Sequence, residues 1–345
     1  MTTLDVARPV TGGVDTHLDV HVAAALDPIG GLLGVAQFPT DVEGNEALLA
    51  WLQGFGQVSL VGVEGTGSYG AGLARFLRSA SVRVVEVDRP NRQARHRRGK
   101  SDTEDAIEAA RAALSGRAQG AGKTRDGNVE AIRVLLVAKR SARSSKIKAL
   151  NQIRHLGFTA PEPLRVRLAG VRRQRLGELA ASLRSRTGSD PVTYATKTAL
   201  SVLGHRILEL DSERARLDAL LEELVTATAP GLLSLYGVGV DTAAALLVAA
   251  GDNPERITTE AAWAHLCGVA PISASSGKVT RLRLNRGGDR QANAALYEIV
   301  VTRMGHDPNT KAYVERRLKE GRSKKEIIRV LKRYVAREVY KHLPR

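Results

Sequence analysis

The chain has 345 residues, with 52 Lys and Arg against 36 Asp and Glu, a formal net charge of +16. That excess points to a polyanionic partner, most often nucleic acid. An aromatic content of 4% argues against stacking platforms for single strands as the main device, and the single Cys267 excludes a disulfide framework or a cysteine-based zinc site.

The first part of the chain alternates strands and helices. Residues 11–26 read as two strands with a tight connection, and residues 35–38 as a third. Residues 44–55 have helical spacing through Leu48, Leu49 and Leu52. Residues 58–64 are predicted as a strand, 71–79 as a helix and 82–87 as a strand. This order predicts a mixed α/β sheet, which places sites at the carboxyl ends of its strands. The Gly-rich turn Gly65-Thr-Gly-Ser-Tyr-Gly is read as a tight strand-to-helix connection rather than a phosphate cradle.

Two acids sit where an acid is awkward. Asp15 lies in the first apolar run, and Glu64 ends an otherwise buried-looking strand. A carboxylate there costs free energy unless it is paired or holds a metal. Further on, Lys100-Ser101-Asp102-Thr103-Glu104-Asp105 reads as a helix start. Ser101 can cap it and Glu104 can reach back, a capping box. Asp102 and Asp105 then share one face of the first turn. Acids also suit the positive end of a helix dipole without any chemistry. Together, Asp15, Glu64, Asp102 and Asp105 can converge on a divalent cation. Such an oxygen-rich set suits Mg2+ or Mn2+ and phosphoryl transfer. The basic run just before it, with Arg97, Arg98 and Lys100, could lead a phosphate backbone to that site.

Residues 126–228 read as a basic, largely helical segment. Pro161 and Pro163 mark a connection between helices. Leu200, Leu203, Ile207, Leu210, Leu217, Leu221 and Leu224 form a heptad seam interrupted by Arg214. That spacing predicts a coiled coil, paired with a helix near residues 129–156 or with another protomer. After Pro230 and Gly231, two short helices around Gly237-Val-Gly239 resemble a helix-hairpin-helix, whose backbone N–H groups can meet a DNA phosphate. A plain helical turn is the equal alternative. Then follow Ser275 and Ser276, Gly277-Lys278, and Arg281, Arg283, Arg286 and Arg290. A serine beside several arginines could be a nucleophile toward phosphate, although loop serines are common. Cys267 is read as core. Residues 324–343 form a basic amphipathic helix with Ile328, Leu331, Val335 and Val339 inward. No leader or membrane-spanning run is apparent, so a soluble cytoplasmic protein is expected.

These pieces, taken in order, resemble one group of insertion-sequence transposases. That group includes the pilin-gene invertase and the bridge-RNA-guided recombinases. The likeness rests on Gly-Val-Asp15-Thr-His, Val-Glu64-Gly-Thr-Gly and Lys100-Ser-Asp102-Thr-Glu-Asp105-Ala. In the second half it rests on Gly237-Val-Gly239, Gly268-Val-Ala-Pro271, Ser275-Ser276-Gly277-Lys278, Arg286-Gly-Gly and Ala294-Ala-Leu-Tyr297.

The resemblance implies three parts. Residues 1–125 would be a ribonuclease-H-like (RuvC-like) DEDD domain binding magnesium through the four acids. Residues 126–228 would be the helical coiled-coil segment. Residues 229–345 would be a mainly α transposase domain holding the helix-hairpin-helix and a serine nucleophile. Motif position favours Ser276, with Ser275 as the alternative. The resemblance also implies donor and target DNA as partners, a covalent phosphoserine link, and a guide (bridge) RNA. A homo-oligomer, dimer or tetramer, would combine one protomer's acids with another's serine. The setting would be the bacterial cytoplasm, at the nucleoid. His17 and His96 are read as supporting or structural. Rival readings are a metal-dependent nuclease or Holliday-junction resolvase without serine chemistry, a non-enzymatic nucleic-acid-binding protein, and a sugar-kinase-like phosphotransferase. The charge of +16 argues against the last.

Overall fold

The computed structural model describes residues 8–87, 101–118, 120, 122–276, 279 and 281–344. Arg97, Arg98 and Lys100 of the basic run, and Lys278 of the serine loop, lie outside these residues. The first domain is a five-stranded sheet in the order β3-β2-β1-β4-β5. Its strands are β1 (Pro9–Thr16), β2 (Val20–Leu26), β3 (Leu32–Pro39), β4 (Gln57–Glu64) and β5 (Arg83–Val87). Strands β1, β2 and β3 form an antiparallel meander, while β4 runs parallel to β1 and β5 parallel to β4. The carboxyl ends of β1 and β4 therefore meet at one edge.

Alternation along the strands divides the two faces. Val10, Val14, Ala23, Ala25, Val61 and Val63 pack against helices α1 (Val42–Gln53) and α2 (Ala71–Ser79) on one face. Gly13 and Gly62, paired in register, open the other face to α3 (Asp102–Leu114). The approach there is closer than any side chain allows. A Cβ at Gly13 would lie 2.1 Å from the Ala110 backbone nitrogen, and one at Gly62 would lie 2.6 Å from the Ala109 carbonyl oxygen. The facing stripe of α3 is correspondingly small: Ala106, Ala109, Ala110 and Ala113, all buried. The Gly65–Gly70 segment is a turn between β4 and α2, with Gly65 at φ +71°.

A long helical arm follows. Helix α4 (Asn128–Thr159) pairs with α7 (Pro191–Thr228), while α5 (Glu162–Leu168) and α6 (Leu176–Ala181) fill its tip. The start of α4 shares a core with the end of α7, and the end of α4 shares one with the start of α7, so the pair is antiparallel. The partner of the predicted seam is thus in the same chain. The seam is not a continuous apolar stripe. Leu200, Ile207 and Leu221 are buried, but Leu203, Leu210, Leu217 and Leu224 are half-buried. Between the two cores, ion pairs Lys146–Asp211 and Lys139–Asp218 bridge the helices. The arm is an antiparallel helix pair; the expected coiled coil finds no clear support in this broken seam.

The base of the arm merges with the C-terminal helices. These are α8 (Pro230–Leu233), α9 (Val240–Ala250), α10 (Glu260–Leu266), α11 (Arg290–His306), α12 (Pro308–Lys319) and α13 (Lys324–Lys341). Val129, Ile132, Leu221 and Val225 join Leu246, Trp263, Leu296 and Val339 in one core, so packing is continuous across residue 229. Cys267 is buried in it as expected, and burial pushes its thiol far above the ordinary range. In α13, Val335 and Val339 face inward as predicted, but Ile327 is buried where Ile328 is only half-buried. Residues 122–127 tie the sheet domain to this core. Asn253 donates to the Gly122 carbonyl (3.3 Å), and the Asp252 carboxylate accepts from the Val129 amide (2.8 Å), capping α4.

If bare backbone at Gly13 seats α3, Gly13→Ala should cost about 1–3 kcal/mol or more, because overpacking here meets backbone. Gly12→Ala, whose methyl meets the flexible tip of Leu52 at 3.0 Å, should cost less. Urea unfolding followed by circular dichroism measures both. Equal midpoints would show that α3 is free to shift.

Candidate active site

The acidic edge is built by three elements. Gly13 and Asp15 lie two apart on β1, and Gly62 and Glu64 two apart on β4, so each acid projects to the face that its glycine opens to α3. The ladder pairs Gly13 with Gly62 and Val14 with Val63, which puts Asp15 beside Glu64. The Thr16 hydroxyl donates to the Glu64 carbonyl oxygen at 2.8 Å and locks the two strand ends together. On α3, Asp102 and Asp105 continue the alanine stripe by one turn beyond the sheet. Asp15 and Asp105 are both 6% exposed, whereas the Asp102 side chain is half exposed.

Charge is crowded here. Burial raises the Asp15 pKa, and the nearby carboxylates of Asp105 and Asp102 raise it further, while His17 pulls it down. His17 Nε2 lies 3.1 Å from Asp15 Oδ2 and 3.5 Å from Asp102 Oδ2. The side-chain ligand atoms of Asp15, His17 and Asp102 all fall within 4.8 Å of one another. Sequence reasoning left His17 in a supporting role. Its signal was present: two residues after Asp15, an extended chain turns both side chains to one side. A buried carboxylate made harder to ionise by two others is a site that a cation would relieve, and the mixed O/N donor set can hold a divalent ion.

Ser101 occupies the N-cap position of α3, but its side chain makes no capping bond. The expected capping box is absent. The helix opens instead with the Ser101 carbonyl accepting from the Asp105 amide at 3.0 Å. Asp102, Glu104 and Asp105 themselves meet the positive end of the helix.

Ser276 stands elsewhere, on a hairpin formed by β6 (Ile272–Ser273) and β7 (Leu282–Arg283) and extended by a Ser276–Val279 bridge. Both serines are exposed. The Ser275 hydroxyl accepts from the Arg281 amide at 3.1 Å, whereas the Ser276 hydroxyl makes no hydrogen bond among the described residues. Arg281 and Arg283 are exposed on the same hairpin. The hairpin belongs to the C-terminal part of the chain, whereas the four acids are carried by β1, β4 and α3 of the first domain. Arg286 and Arg290 lie beyond the hairpin, on a cleft against α13.

The Gly237–Gly239 turn is tight, with Gly237 at φ +78°. Its first helix, α8, has only four residues. The Gly239 amide donates to the Thr242 hydroxyl at 3.0 Å, and the next residue but one is the acid Asp241. An N–H already occupied by a side-chain hydroxyl is a poor phosphate cradle, so the plain helical turn describes Gly237 and Gly239 better than a helix-hairpin-helix. Among the described residues, no helix is long and apolar enough to cross a membrane.

Comparison with known proteins bears on both halves. Residues 12–156 match the DEDD transposase domain of the IS110 type, and residues 229–315 match the domain described as "Transposase IS116/IS110/IS902 family". The chain is 32% identical over 136 residues to an uncharacterized 43.6 kDa protein of insertion element IS110 from Streptomyces coelicolor, which covers 39% of this chain and 33% of that one. It is 26% identical over 192 residues to an uncharacterized 42 kDa protein of insertion element IS900 from Mycobacterium paratuberculosis, covering 51% of this chain and 48% of that one. The chain thus spans no more than about half the length of these relatives. With both domain types matched in order along it, the chain belongs to the IS110/IS116/IS902 family of insertion-sequence transposases.

Proposed function

We propose that this chain is a transposase that cuts and rejoins DNA strands, with Asp15, Glu64, Asp102 and Asp105 forming a metal-dependent acidic site and Ser276 acting as nucleophile. The carrying observation is the pair of Gly-x-acid strand ends, in register, that face the two acids of α3. The strand order 3-2-1-4-5 is in keeping with the ribonuclease-H-like architecture that the resemblance implies.

Asp15, Asp102 and the nearby acids would hold Mg2+ or Mn2+, with His17 as a neighbouring donor. When bound, such an ion supplies charge neutralisation at the scissile phosphate and eases deprotonation of the attacking hydroxyl. Ser276 Oγ attacks phosphorus, a serine–phosphate bond forms, and the bond to one deoxyribose oxygen breaks, that oxygen leaving with a proton. Arg281 and Arg283, on the same hairpin, neutralise the charge on the transferring phosphate. The ester exchange conserves the bond, so the reverse step can rejoin strands without a nucleoside triphosphate. Ser276 is favoured over Ser275 because the Ser275 hydroxyl is engaged with the Arg281 backbone. Acids and serine lie on different parts of the chain, and a homo-oligomer, dimer or tetramer, would combine one protomer's acids with another's serine. Recognition of donor and target DNA by a guide (bridge) RNA would suit a basic protein without a sequence-reading helix of its own. An exposed Ser276 with no hydrogen-bonded base among the described residues also favours a second reading, a metal-dependent nuclease or junction resolvase that uses water.

Asp15→Asn, Glu64→Gln, Asp102→Asn and Asp105→Asn should each abolish strand exchange on a plasmid substrate; full activity in any one removes that acid from the site. Ser276→Ala should prevent a protein–DNA adduct in denaturing electrophoresis while leaving DNA binding intact. Cleavage that persists in Ser276→Ala supports the nuclease reading, and loss of the adduct only in Ser275→Ala makes the neighbour the nucleophile.

The charge crowding at Asp15 has a thermodynamic consequence. Its pKa is raised on folding, so the folded state holds that proton more tightly than the unfolded chain. Its stabilising contribution is full below the unfolded pKa and is lost as pH rises through the folded one. At pH 7 without divalent cations, Asp15→Asn should therefore melt roughly 1–2 °C higher than the wild type, the response of a 345-residue chain to about 1 kcal/mol. Added Mg2+ or Mn2+ should raise the wild-type Tm and leave the variant unmoved. A Tm that neither change shifts would separate Asp15 from any cation site.

A further inference from the structure

A cleft of about 820 Å3 opens in the C-terminal domain, between the two legs of the serine hairpin and helix α13. Six cations line it: Arg286, Arg290, Arg329, Lys332, Arg333 and Arg337, with no acid among the described lining residues. Arg329, Arg333 and Arg337 stand four apart on α13, a row with a step of about 6 Å. Glu260 pairs with Arg333 and lies 3.5 Å from Arg337, so part of this charge is offset from behind. Arg286, Arg290 and Arg329 are exposed and make no ion pair among the described residues. Lys332 is half-buried and donates to Asn293 Oδ1 at 2.8 Å, which holds it on the cleft floor.

Apart from Asn285 and Asn293, the rest of the lining is apolar. Val269 and Pro271 come from one leg of the hairpin and Leu284 from the other, and Tyr334, 46% exposed, faces in from α13. Cations alone would suit the phosphates of any duplex. An apolar wall with a ring has no use for a duplex, whose bases are stacked away, but it suits the faces of unpaired bases. The volume is that of a nucleotide-sized site. Low aromatic content argues against a long stacking track, and one ring is enough for one or two bases.

We propose that this cleft takes an unpaired stretch of a DNA strand, its phosphates along the α13 row and one or two bases against Tyr334 and the hairpin legs. A strand held there runs to the root of the hairpin whose far end carries Ser276, so the cleft would present the strand to that serine. The choice of DNA as the occupant rests on the transposase reading, whereas the cleft itself uses neither the acids nor the serine.

The test is fluorescence polarisation of the full chain with a labelled 12-nucleotide single strand of DNA, its duplex, and the matching RNA strand, all in EDTA so that no cleavage enters. The wild type should bind the DNA strand tighter than the duplex or the RNA. Arg329→Gln/Arg337→Gln should weaken single-strand binding by roughly tenfold or more and reduce the log-affinity against log-salt slope by about 1.4. Tyr334→Ala should weaken it roughly 5- to 100-fold while Tyr334→Phe retains it. Lys311→Gln/Lys319→Gln, the same charge change on an exposed stretch of α12, should do nothing. The proposal falls if Tyr334→Ala is silent, if the α12 pair loses as much as the α13 pair, or if duplex or RNA binds more tightly than the DNA strand. Any of those results leaves the acidic site and Ser276 to be judged by the strand-exchange assays alone.

Discussion

The acidic edge depends on a helix lying on bare backbone. Gly13 and Gly62 remove the side chains that would normally keep α3 away from β1 and β4, and the alanines of α3 remove theirs. Small residues bury little area each, so this contact is held by fit more than by hydrophobic energy. What it secures is position. The candidate cation set spans only 4.8 Å, and a helix lifted by a single methyl-sized layer would carry Asp102 out of reach of Asp15. The two glycines are as necessary to the site as the acids that follow them two residues later.

Against that fit stands an electrostatic cost. The chain carries +16 overall, yet it gathers carboxylates at this edge, with Asp15 buried among them. Among the described residues, exposed cations gather on the serine hairpin and on α13. A phosphate backbone drawn in by those cations would meet like charge at the acids unless a cation lay between. The division of charge thus fits a site that is completed by a divalent ion and entered by nucleic acid.

Much of the first domain could be read from sequence, because its strands are short apolar runs punctuated by glycine turns. Residues 71–79 were expected as a helix and form α2 over that span, and the strand end at Glu64 fell where it was expected. Local signals failed where tertiary partners decide. Ser101 had the sequence of a capping box, but the acids of the first turn serve the helix start instead. The heptad spacing of α7 was real and its pairing with the helix near residues 129–156 was one of the two expected outcomes, yet its polar middle is set by Lys139 and Lys146 on α4, residues that no periodicity reveals. His17 was undervalued because its closeness to Asp102 exists only after β1 and α3 meet. The Gly237–Gly239 turn had the right residues for a phosphate loop, but the Thr242 hydroxyl occupies the Gly239 amide.

Acids and serine are carried by different parts of the chain, and hydrogen bonds tie those parts together. Residues 122–127 bind the sheet domain to the C-terminal core through Asn253 and Asp252, and the arm's two helices root in that same core. The arm is long: 32 residues of α4 correspond to about 48 Å of helix. Its tip, with a small core of its own, projects far from the base. Hydrogen bonds from Asn253 and Asp252 thus tie the segment that follows the sheet domain to the core that carries the hairpin. A hairpin that exposes Ser276, Arg281 and Arg283 while its roots line a cationic cleft is arranged to act on something outside its own domain.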